Sequence, residues 1–68
     1  MTREEKAMRE VEKNYFRCFN TVAGEFVLRH LRSITVERYL GSNASESELR
    51  GLEAQRALVH LIMKLAKN

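Results

Sequence analysis

Cys18, His30 and His60 are the residues of this 68-residue chain whose types could carry nucleophilic, acid–base or metal chemistry. A catalytic thiol needs a neighbouring base or a helix N-terminus to become a thiolate. Cys18 instead falls near the end of an apolar helical stripe, beside Tyr15 and Phe19, where a packed free thiol is the simpler reading. Neither histidine has a second histidine four residues away, and no acidic cluster surrounds either. One cysteine and two histidines cannot complete a closed zinc site, and a lone cysteine cannot form an intrachain disulfide. His30 lies among Phe26, Val27 and Leu31, which suits a histidine at the edge of a core. Paired carboxylates would need a pocket that so short a chain rarely encloses, and no glycine-rich phosphate loop is present. The residues therefore point to no catalytic, cofactor or metal site, and to a protein that is not an enzyme.

The cations offer a different chemistry. Arg56, His60, Lys64 and Lys67 recur at steps of four, four and three. Arg29 and Arg32 would join them if their two segments pack together, giving a candidate basic patch of Arg29, Arg32, Arg56, Lys64 and Lys67. Such a stripe could follow a phosphate backbone or an acidic protein groove. It also fits the preference of cations for helix C-termini, where they oppose the helix dipole. The net charge is +3 and the sequence pI about 9.4, but the first 17 residues mix five basic with four acidic groups. Mixed charge of this kind describes a solvated helix surface better than a nucleic-acid-binding face.

Positioning falls to helices. Proline is absent and only three glycines occur, which favours helix over a turn-rich β fold. Thr2 with Glu5 forms a capping box that starts a helix predicted over residues 3–19, and Met8, Val11, Tyr15, Cys18 and Phe19 line one face of it. Asn20 and Thr21 read as caps, so a helix–turn–helix corner is expected near residues 19–22. A second helix is predicted over 22–39, burying a stripe of Ala23, Phe26, Val27, Leu31 and Ile34 with His30 inside it. Gly24, in its first turn, leaves room for a close approach of the first helix or is neutral there. The run Gly41 to Ser45 breaks the chain, and Ser45 with Glu48 opens a long amphipathic helix over 46–66. Leu49, Leu52, Arg56, Val59, Met63 and Ala66 form its seam at alternating steps of three and four. Leu58, Leu61, Ile62 and Leu65 widen its apolar surface beyond that seam, so the helix needs neighbours on two sides.

These elements make a small all-α, three-helix domain spanning 1–68. A domain of this size buries only about 60% of the surface its unfolded chain exposes, which leaves the core marginal. With disulfide and zinc support excluded, oligomerisation or docking onto a larger assembly is the remaining support. Leu58, Leu61 and Leu65 are the candidate protein interface, with Arg56 and Lys64 at its rim. The alternative is that these leucines complete the chain's own core. No apolar run approaches the roughly 20 residues of a membrane span, and the charged N-terminus lacks a signal-peptide core.

Two segments, FRCFNTVAGEFVLRHL over 16–31 and EAQRALVHLI over 53–62, resemble a family of small helical tailed-phage proteins first named from a Bordetella phage protein. The resemblance rests on Phe16, Phe19, Thr21, Gly24, Val27, Leu28 and Leu31, then on Glu53, Gln55, Arg56, Val59 and Ile62. Ala54 departs from it, standing where family members tend to carry glycine. The resemblance implies a non-enzymatic protein encoded among phage head and tail genes. That setting, together with the excess apolar surface of the last helix, leads to the expectation of docking in several copies onto capsid, portal or tail components, in the virion or in the host cytoplasm during assembly. A small basic nucleic-acid-binding or regulatory protein is the alternative that the cations leave open.

Overall fold

Each helix begins at a hydroxyl that replaces a missing backbone acceptor. The structure, a computed structural model, describes residues 2–67, one residue short of the expected domain at each end. Thr2 accepts the Glu5 N–H at 3.2 Å, Thr21 accepts the Gly24 N–H at 2.9 Å, and Ser45 accepts the Glu48 N–H at 3.1 Å. These caps open α1 (Arg3–Phe19), α2 (Val22–Ser33) and α3 (Glu46–Ala66). Acidic residues follow each cap and basic residues occupy each last turn, so every helix dipole is opposed at both ends. No strand occurs among the described residues, and the fold is all-α.

The α1–α2 corner is made by Asn20 and Thr21 alone. The Asn20 backbone N–H and side-chain amide both donate to the Phe16 carbonyl, closing α1. The Thr21 hydroxyl donates to the Cys18 carbonyl at 3.1 Å while its oxygen caps α2, so one side chain serves both helix ends. Gly24 is buried against this corner. A Cβ there would overlap the Cys18 carbonyl oxygen and lie 2.7 Å from the Phe19 Cα. Because no described residue has positive φ except where glycine could, and no glycine does, Gly24 is required for space and not for conformation.

The second helix ends at Ser33, earlier than the expected residue 39. Ile34, Thr35 and Val36 are β-branched, and β-branching lowers helix propensity. The Ser33 and Thr35 hydroxyls donate to the carbonyls of His30 and Leu31 at 2.6 Å, competing with further helical turns. The Glu37 N–H reaches back to the Arg32 carbonyl at 2.9 Å. Thr35 is thereby carried into the interior, where it is buried.

The stripe expected to bury α2 is rotated away from the core. Ala23, Phe26, Val27 and Ile34 are exposed, Phe26 at 71% and Val27 at 50%, and His30 is exposed with them rather than held at a core edge. The packed positions are Gly24, Leu28, Leu31 and Thr35, at steps of four, three and four. Gly24 must face the α1 backbone, and this fixes the roll of the helix.

On α3 the expected seam carries the core. Leu52, Val59 and Ala66, two turns apart, are the buried apolar residues, while Arg56 and Met63 are half-buried and Leu49 is exposed. Asn20 ties the far end of this helix to the corner, donating from Nδ2 to the Ala66 carbonyl at 3.1 Å. The first half of α1 takes no part, since every residue from Thr2 to Val11 is exposed.

The resulting molecule is flat, with extents of 49 × 30 × 11 Å. Two stacked layers of helices, with axes 8–10 Å apart, would need about 13–15 Å of thickness. The three helices therefore lie in a single layer.

Candidate interaction surfaces

The structure distributes the reactive side chains rather than gathering them. Cys18 is exposed in the last turn of α1, and His30 and His60 are exposed on different helices. Among the described residues no group of three His, Cys, Asp or Glu side chains stands close enough to hold a metal ion. A cleft of about 350 Å³ opens between α2 and the end of α3, and none of these three residues lines it.

That cleft gathers part of the candidate basic patch. Arg29, Arg32 and Lys67 surround a floor of Phe19, Leu28, Met63 and Ala66, with Glu25 among them. Arg32 is shared with Glu37 at 3.5 Å, an exposed pair that contributes little to stability. Lys64 is exposed on α3 and does not line the cleft.

Arg56 is committed elsewhere. Its Nε donates to the Thr35 carbonyl at 3.1 Å and one terminal nitrogen donates to the Arg38 carbonyl at 2.6 Å. The other pairs with Glu53 at 2.7 Å. The planar guanidinium thus uses all three nitrogens, two of them on backbone carbonyls of the turn after α2, where the Thr35 carbonyl also accepts the Arg38 N–H at 3.3 Å. Arg56 is a clamp between α3 and the 34–38 turn, which leaves its charge little available to a ligand. The sequence signals this only obliquely, as a polar residue in an otherwise apolar seam. Asn20, read from sequence as a cap, turns out to be a tertiary tie as well.

The candidate leucines divide. Leu58 and Leu61 stand 58% and 50% exposed, and Leu65 is half-buried. Apolar exposure extends to Met8, Val11 and Phe16 on α1 and to Val22, Phe26, Val27 and Ile34 at or beside α2. The chain exposes 5752 Å² in all. A compact protein of 7.9 kDa exposes about 4,400 Å². The excess is about 1,300 Å², more than the roughly 800 Å² that one partner contributes to a standard protein interface. Among the described residues no helix is long and apolar enough to cross a membrane.

No curated protein and no solved structure matches the chain. A family model described as Bbp19-like phage protein matches residues 15–67. The match begins at Tyr15, in the second half of α1, and takes in the corner, α2, the Arg56 clamp and all of α3. With most of its length and all of its packed helical unit inside that match, the chain belongs to the Bbp19-like phage protein family.

Proposed function

We propose that this phage protein is a non-enzymatic component of particle morphogenesis that docks through its helices onto a capsid, portal or tail protein. The observation that carries the reading is the free first half of α1. About two and a half turns of amphipathic helix, Arg3–Val11, are exposed along their whole length, with Met8 and Val11 on one face and Glu4, Lys6, Arg9 and Glu10 around the rest. Isolated helices of this length are marginal in water. An apolar stripe on such a helix gains its stability when a groove on another protein covers it, as amphipathic helices do in helix-in-groove recognition.

The basic groups support the nucleic-acid alternative less well. Arg56 is held by its own chain, Arg32 is shared with Glu37, and Glu25 sits in the cleft beside Arg29 and Lys67. The setting that follows is the virion, or the host cytoplasm while particles assemble.

The test is a pull-down of purified capsid, portal and tail proteins, each separately, by the full chain at low and at 0.5 M-scale salt. One of the three should be retained at both, because apolar docking is insensitive to screening. The double variant Met8→Lys, Val11→Lys should lose it. Retention of none, or equal retention by the variant, would refute docking through α1. A DNA mobility shift that collapses with salt would instead support the nucleic-acid reading.

A further inference from the structure

The two broad sides of the helical layer differ in chemistry. The cleft fixes which side is which, because Glu25, Leu28, Arg29 and Arg32 of α2 line it together with Met63 and Lys67 of α3. At 100° per residue, the opposite flank of α2 carries Ala23, Val27, His30 and Ile34, and the opposite flank of α3 carries Gly51, Gln55, Leu58, Ile62 and Leu65. Between Ala23 and Ile34 and between Gly51 and Leu65 no Asp, Glu, Lys or Arg falls on that flank; charge enters only at its end, where Glu48 and Arg38 share a small cleft with Gly51 and Gln55. The charges of the two segments, Arg29, Arg32, Glu53 and Lys64 among them, lie toward the cleft side or the outer edge. Val27, Ile34 and Leu58, from two helices, are all exposed on the uncharged side.

We infer that this uncharged side of α2 and α3 is covered by a second copy of the chain, packed layer against layer about a two-fold axis. Domains are built from at least two packed layers around one core, and this chain supplies one. Side by side and about 10 Å across, helices of 12 and 21 residues present roughly 500 Å² of this side, so a pair would bury on the order of 1,000 Å² or more, which reaches the range of specific interfaces. A two-fold pair brings the same patch against itself, and the apolar stretch of Val27, Ile34 and Leu58 can do so without burying an unpaired charge. An obligate layer must also be present whenever the chain folds, and an identical chain always is. The inference does not rest on docking to a phage structural protein, since α1 remains free in the pair for that contact.

The experiment measures the mass of the full chain by sedimentation equilibrium at several concentrations, with no phage protein present. The expected mass is twice 7.9 kDa. Leu58→Arg should weaken the pair by about 100-fold or more, since each interface then carries two desolvated charges. Arg29→Glu, on the cleft side, should leave it intact. Because Leu58→Arg could also unfold the chain, mixed labelled and unlabelled wild-type protein supplies a second readout. Intermolecular methyl NOEs are expected at Val27, Ile34 and Leu58, and none at Leu28 or Met63. A folded monomer at every concentration overturns the inference, and so does a pair whose intermolecular contacts fall on the cleft side or on α1 alone. Either result leaves the pull-down outcome independent, because that assay reads α1.

Discussion

Gly24 holds the corner by having no side chain to place there, and its effect is larger than its size suggests. Alanine at this position would press a methyl into the Cys18 carbonyl and the Phe19 Cα, both backbone atoms with nowhere to move. Gly24→Ala should therefore cost about 2–3 kcal/mol, the upper range for overpacking, despite the better helix propensity of alanine. Chemical denaturation at fixed protein concentration measures it, and an unchanged midpoint would mean that the corner opens without cost. Arg56 makes a parallel case in polar chemistry. Lysine keeps the charge but cannot serve the Thr35 and Arg38 carbonyls and Glu53 together. Arg56→Lys is expected to cost about 1–2 kcal/mol, while Lys64→Ala stays within about 0.5 kcal/mol. Equal effects of the two would make Arg56 an ordinary surface cation. Of these residues, Gly24 was half legible from sequence, as a possible close approach. The Arg56 clamp was not, because its partners are backbone carbonyls of the turn after a helix end that propensity did not locate.

At the scale of elements, hydroxyl and amide side chains proved easier to read than apolar stripes. Thr2, Thr21 and Ser45 announce their helices because capping is local chemistry, settled within three residues. The roll of α2 is a tertiary matter. Its best apolar stripe by composition includes Phe26 and Val27, yet the close approach at Gly24 selects the flank with Leu28, Leu31 and Thr35. A pattern that scores hydrophobicity gives glycine no weight, so it misses the one residue that decides the rotation. The seam of α3 was legible because Leu52, Val59 and Ala66 keep its spacing over two full heptads. Element stability should follow packing accordingly. Amide exchange is expected to be fast through Glu4–Val11, where every residue is exposed, and slowest around Leu52–Ile62. Uniform protection along α1 in the isolated protein would show that its first half is already covered.

The whole molecule is where layer and partner become one question. A radius of gyration of 15.0 Å is well above the roughly 11 Å of a compact domain of this length, and the excess lies in two dimensions only. That anisotropy makes the arrangement of a pair measurable in solution. Stacking two such layers with centres about 10 Å apart adds mass along the thin axis, so the radius rises only to about 16 Å. Joining the same layers edge to edge, across the 30 Å extent, would give about 21 Å, and end to end, along 49 Å, about 29 Å. Small-angle scattering from the full chain should thus show forward intensity for two chains with scarcely any increase in radius. Only a face-to-face arrangement has this signature, and the intermolecular NOEs at Val27, Ile34 and Leu58 then tell which broad side is covered. A doubled mass with a radius above 20 Å would place the contact on an edge or on α1. Val27, Ile34 and Leu58 would then still face water, and a marginal core with Leu52, Val59 and Ala66 as the buried apolar side chains among the described residues would have to hold the layer together unaided.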